Sequence, residues 1–206
     1  MQSRRNFMKN GAIIAAGGMT LGADTLNAAL NLGVDTVSIK ETLYHTTPYV
    51  GIGKTAQFTR AMNAVFTKRG IDTKQKSQQT VSKDDRYEKG LQAQIDIFGE
   101  RMRNHKDSYT PDTRHFADFL SANCFGDYYT RTGLDLKFRE LLTFVILASL
   151  GGVESQLKAH ITGNIRLGND RAKLISVVTL LVPYIGYPRS LNALSAINET
   201  APYKEK

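Results

Sequence analysis

LDLKFRELLTFVILASLGGVESQLKAHITGNIRL, Leu134 to Leu167, is the stretch whose reading decides the fold. Apolar residues crowd its first arm from Leu141 to Leu150, and Gly151-Gly152 stops that arm as glycines do at helix ends. Two long helices folded back on each other are predicted. Glu140 stands about eleven residues before the turn and His160 about eight after it. At ~1.5 Å rise per residue both lie roughly 12–17 Å from the bend, so the two side chains can touch.

The helical neighbours of Glu140 are Leu136, Lys137, Thr143 and Phe144, a mostly apolar setting that disfavours an ionised carboxylate. A carboxyl beside an imidazole in such a place is an acid/base pair in outline. The same spacing also serves a core hydrogen bond, and Glu140 could pair outward with Lys137. Around the hairpin three motifs follow in order: GLDLKFRELLTFVILASLGG, ESQLKAHITGNIRLG and LLVPYIGYPRSLNAL. With these, the segment Phe116 to Asn198 resembles the carboxymuconolactone decarboxylase family. The resemblance implies an all-α fold of the carboxymuconolactone decarboxylase and alkylhydroperoxidase D-like type, with Glu140 and His160 as the catalytic pair. It also implies loss of carbon dioxide from a small carboxylated lactone or related acid, no metal or organic cofactor, and a ring-like homo-oligomer. The departing carboxylate leaves a dienolate that a positioned acid must protonate at carbon. On that expectation Glu140 holds the proton, and His160 orients it or stabilises charge on the lactone oxygen. Gln156 and Asn164, one turn either side of His160, could bind substrate or simply bond between helices. Arg139 would bind a carboxylate well but should point about 100° away from Glu140.

A chain of 206 residues that is 41% hydrophobic can bury one sizeable core. Leu141 to Leu150 and Leu174 to Ile185 are shorter than the ~20 residues of a membrane-spanning helix, so both read as core. The formal charge is +8, but Arg4, Arg5 and Lys9 belong to the N-terminal leader and the remaining charge is scattered. Nucleic acid is not an expected partner. The lone Cys124 excludes an intrachain disulfide framework and a Cys-x-x-Cys site, and the four histidines lack metal-cage spacing, so no metal site is expected.

In chain order, SRRNFMK at residues 3–9 followed by a glycine-containing apolar run resembles a twin-arginine translocation signal. It implies an exported or periplasmic protein that meets the twin-arginine translocation machinery, with residues 1–28 as the signal segment and cleavage after Ala23 or Ala28. Next, LNLGVDTVSIKETLYHTTPYVGIGKTAQFTRAMNAV overlays IRLGNDRAKLISVVTLLVPYIGYPRSLNALSAIN at an offset of 135 (Pro183 against Pro48). Leu32, Gly33, Asp35, Tyr49, Gly51 and Asn63 thereby pair with Leu167, Gly168, Asp170, Tyr184, Gly186 and Asn198. Residues 29–71 are thus a partial repeat, expected to act as scaffold. Residues 72–84 read as a polar surface linker, 85–200 as the complete unit, and 201–206 as a tail. Within the complete unit, Arg86 to Phe98 reads as the opening helix, and TRHFADFLSANCFGDYY as another with Phe116, Phe119, Leu120 and Asn123 on one face. The apolar helix Leu174 to Ile185 suits an oligomer interface.

Related alkylhydroperoxidases work through a Cys-x-x-Cys pair that Gly151 to Gln156 lacks, so Cys124 reads as a structural thiol. His45, in the partial repeat, reads as a packing or hydrogen-bonding residue, His105 as solvent-facing, and His115 as unpartnered. The alternatives to a lactone-acid decarboxylase are another lyase, isomerase or thiol-independent redox enzyme using the same pair, a peroxidase-like antioxidant protein of this fold, and a catalytically silent oligomeric binding protein.

Overall fold

The computed structural model describes residues 22–203 and 205. The twin-arginine segment, residues 3–9, lies outside them. Every regular element among the described residues is helical.

The hairpin forms as the sequence indicates. Its first arm is Leu136–Leu150, started by the Asp135 carboxylate accepting from Phe138 N at 2.7 Å and ended by Gly151 at φ 68°. Its second arm is Glu154–Arg166. Every residue from Arg139 to Ser149 is buried, because this arm runs through the centre of the molecule with partners on all sides. Leu141, Phe144, Val145 and Ala148 join Leu157 and Ile161 of the second arm in the largest apolar core.

Two flanking segments show the same backbone at the 135-residue offset. Asp35 caps Thr36–Val50 and Asp170 caps Arg171–Thr200, each by accepting from the N–H three residues on. Gly51 and Gly186 then break the helices at φ 83° and 74°, a left-handed conformation that only glycine adopts without strain. By length and composition Arg171–Thr200 is long and apolar enough to cross a membrane, more than the Leu174 to Ile185 stretch suggests. The Gly186 break divides it, however, and Leu174, Val178, Leu181, Ala193 and Ile197 pack into the main core.

In chain order the elements are α1 (Ala23–Asn31), α2 (Thr36–Val50), α3 (Ile52–Lys68), α4 (Arg86–Phe98), a 3-10 helix (Glu100–Ser108), α5 (Arg114–Phe119) and a π-helix (Leu120–Tyr129), then the hairpin arms α6 and α7 and the broken helix α8. Ala29 of α1 is fully buried against Met62 and Phe66 of α3, so α1 starts inside the segment expected to be leader. The linker 72–84 lies along the end of the π-helix, where Thr132 N donates to Gln78 O at 2.9 Å and Thr80 Oγ1 to Thr130 O at 2.8 Å.

The helix expected over residues 113–129 needs correction. Only its first turns are α-helical, and Phe116 and Phe119 are 58% and 61% exposed. The buried face is Ala117, Ser121, Phe125, Gly126 and Tyr129, whose spacing of four suits a backbone wound by i→i+5 bonds. That face is selected by a backbone-to-backbone crossing with α4. A Cβ on Gly90 would stand 1.9 Å from Ser121 O, and one on Gly126 would stand 2.2 Å from Arg86 O. His105 is also half-buried, not solvent-facing, because its Nδ1 bonds Met102 O at 2.8 Å.

Candidate active site

Antiparallel packing of α6 and α7 brings Glu140 and His160 together: Oε1 and Nδ1 are 2.7 Å apart. Glu140 is fully buried, whereas His160 retains 8% exposure beside the rings of Phe98 and Tyr49. The approach depends on Gly163, since a Cβ there would lie 2.5 Å from Glu140 Oε1. His160 Nδ1 faces Glu140, which leaves Nε2 as the nitrogen available to another molecule.

Asn164 does not join this edge. It is fully buried, and its Nδ2 donates to Glu140 O at 3.0 Å and His160 O at 2.8 Å while its Oδ1 accepts from Asn169. Its amide ties the two arms together, so the substrate-binding expectation does not hold for it. Gln156 is exposed and accepts from Ser155 Oγ at 2.8 Å, with no contact to the pair.

Behind the pair lies a polar network that spacing along the hairpin does not reveal. The Tyr129 hydroxyl donates to Glu140 Oε2 at 3.2 Å and lies 2.6 Å from Thr143 Oγ1. Tyr49 of α2 reaches Tyr129 at 2.8 Å and Thr143 at 3.1 Å, and His45 Nε2 reaches Thr143 at 2.9 Å. Arg139 does point away from Glu140, and it binds a carboxylate on the other side. Its Nη2 donates to Glu41 Oε2 at 3.0 Å, and Arg131 holds both oxygens of Glu41 at 2.8 Å. Burial lowers the pKa of Arg139 and drives that of His45 well below its ordinary value, with the neighbouring Arg139 charge adding to the latter. Burial also pushes the Tyr49 and Tyr129 phenols well above theirs, so both keep their protons.

Cys124 sits at the margin of this network, and burial pushes its thiol up to about 12. A thiol so protonated is a poor nucleophile, which counts against the peroxidase alternative. A cavity of about 490 Å³ opens elsewhere, lined by Tyr44, Thr47, Ile52, Tyr128 and Arg131 among others; neither Glu140 nor His160 borders it.

Residues 114–199 match the model of the Carboxymuconolactone decarboxylase family. The chain is 27% identical over 115 residues to a 4-carboxymuconolactone decarboxylase of Acinetobacter baylyi, covering 55% of this chain and 85% of the relative. It is 28% identical over 116 residues to a nitrosuccinic acid decarboxylase of Metarhizium robertsii, covering 55% and 80%. The matched segment contains Glu140, His160, Tyr129, Thr143 and Arg139, whereas Glu41, His45 and Tyr49 precede it. Residues 114–199, which carry the Glu140–His160 pair, thus have their likeness in the carboxymuconolactone decarboxylase family.

Proposed function

We propose that this chain decarboxylates a small organic acid with Glu140 and His160. The observation that carries the reading is the 2.7 Å contact between a fully buried carboxyl and an imidazole that keeps an accessible edge. Burial of Glu140 beside a slightly exposed His160 supports assigning the roles the other way round from the expectation. His160 faces the substrate through Nε2, and Glu140 stands behind it, orienting the ring through Nδ1.

The names of the two relatives suggest the substrate class, since a lactone acid and a nitro acid both carry an acceptor able to hold an electron pair. In the proposed step the bond from carbon to the carboxylate breaks, carbon dioxide leaves, and the pair moves onto the acceptor oxygens. A proton from His160 then goes to the substrate skeleton, and His160 regains one from water. Net, one carboxylate and one proton give carbon dioxide and the protonated product.

Two further elements belong to the proposal. The paired arginines Arg4 and Arg5 support export by the twin-arginine route. Exposed Leu180, Tyr184, Tyr187 and Leu191 on α8 support a homo-oligomer.

The test is carbon dioxide release from a panel of lactone and nitro acids by wild type, His160→Gln and Glu140→Gln. General acid/base work predicts losses of about 10²-fold or more in both variants with folding intact. Release that persists in both would dismiss the pair, and no release from any acid would leave a binding protein as the better reading.

A further inference from the structure

Glu140 has a second oxygen, and the way it is held involves the N-terminal half-repeat. Donor and acceptor capacities fix most of the directions in the network. Thr143 Oγ1 donates its one proton to Arg139 O at 3.0 Å, so it is an acceptor towards every other neighbour. His45 Nε2, at 2.9 Å, must therefore be the donor of that contact. The remaining nitrogen, Nδ1, then accepts, which suits the Arg139 Nη1 group that faces it at 3.5 Å, because a guanidinium only donates.

One acceptor site on Thr143 remains, and two phenols compete for it. Tyr129 lies at 2.6 Å and Tyr49 at 3.1 Å. If Tyr129 donates to Thr143, Glu140 Oε2 loses its donor. When Tyr49 donates to Thr143 instead, that site is taken and the Tyr129 proton points at Glu140 Oε2, whereas a Tyr49 proton on the Tyr129 oxygen at 2.8 Å would leave Thr143 open to Tyr129. The direction of the Tyr129 hydroxyl is thus set by a residue of α2, which lies outside the family-matched segment.

We propose that Tyr49 is a positioning residue of the Glu140–His160 pair, acting through Tyr129 to keep a hydrogen bond on Glu140 Oε2. This deepens the decarboxylase reading and rests on its assignment of the pair. The titratable or charged groups around Glu140 are His160 on α7, Tyr129 and Cys124 on the π-helix, Tyr49 and His45 on α2, and Arg139 on its own helix. Of the contacts to Glu140 Oε2 only that of Tyr129 is a hydrogen bond, so the Tyr49 hydroxyl acts on Glu140 through it; the Tyr49 ring also stands edge-on to His160 at 6.5 Å, a contact that Tyr49→Phe keeps.

The experiment uses the full chain labelled with 15N-histidine, with His160 assigned by its loss in His160→Gln. Tyr49→Phe and Tyr129→Phe keep both rings, and circular dichroism confirms their folding. A hydrogen bond to a charged acceptor is strong enough that losing it redistributes the proton of the pair about tenfold or more. Tyr49→Phe is therefore expected to displace the His160 Nδ1 and Nε2 resonances, and to move the midpoint of their pH response in the same direction as Tyr129→Phe. The double variant should add nothing further. With any acid that releases carbon dioxide, kcat falls in Tyr49→Phe and KM stays. His160 resonances that move in Tyr129→Phe but stay in Tyr49→Phe would overturn the proposal, as would resonances unmoved in both. Absence of carbon dioxide release from every acid removes the decarboxylase reading, while the resonances still decide the role of Tyr49.

Discussion

Replacing Glu41 by Gln tests what joins the N-terminal half-repeat to the hairpin. Glu41 is 1% exposed and takes three charged N–H donors, two from Arg131 at 2.8 Å and one from Arg139 at 3.0 Å. Exposed ion pairs contribute little, but removing one partner of a buried pair costs about 3–5 kcal/mol because the other charge is left uncompensated. Arg139 would keep the carbonyls of Leu134, Arg131 and Thr132, which places the loss at the low end, about 3 kcal/mol. For a chain of this size that is roughly 6–12 °C in melting temperature. The assay is thermal unfolding followed by circular dichroism, with Glu199→Gln as the comparison, since Glu199 pairs with Lys158 while 56% exposed. Protease should also cut the linker 72–84 sooner in Glu41→Gln. A melting temperature within about 2 °C of wild type would show that the cluster does not hold the two parts together.

His45 gives a pH dependence of definite sign. It is held below its ordinary 6.5, so as pH falls beneath that value the unfolded chain takes up a proton that the folded chain refuses, and stability falls. The unfolding free energy obtained from urea titrations should decline by about 1.4 kcal/mol per pH unit on the acid side, and His45→Gln should flatten that slope; an unchanged slope would refute the assignment. Cys124, with its thiol near 12, should resist iodoacetamide and peroxide in the native protein at pH 8 and react once urea unfolds it; rapid sulfenic acid formation in the native state would contradict this. Gly163→Ala places a Cβ 2.5 Å from Glu140 Oε1 and 2.6 Å from Ile97 Cγ2, so the carboxyl must leave His160. Carbon dioxide release should drop about 10²-fold, and retention of full activity would mean that the contact is not needed.

The hairpin was legible because its signals are local. Asp135, the apolar run and Gly151 mark its first arm, and two equal rods folded at a glycine pair must bring Glu140 near His160. The π-helix was not legible, because Phe116 and Phe119 follow an α-helical period whereas the glycine crossing at Gly90 and Gly126 selects a different face. The polar network was missed for another reason. The bonds that α2 makes to it join residues 80 to 98 positions apart, and comparison of two repeat copies shows what they share, not what either one touches. A signal was nevertheless present. Glu41, His45 and Tyr49 recur every four residues along α2, where the other copy has Ser176, Leu180 and Tyr184. A polar stripe on a helix that also buries Ile39 and Leu43 needs polar partners across from it, and Arg139 and Thr143 form a stripe of the same spacing on α6. Matching the two stripes would have paired Glu41 with Arg139 and His45 with Thr143 before any coordinates were known. It would also have placed Tyr49 one turn further along, at the Glu140 end of the network.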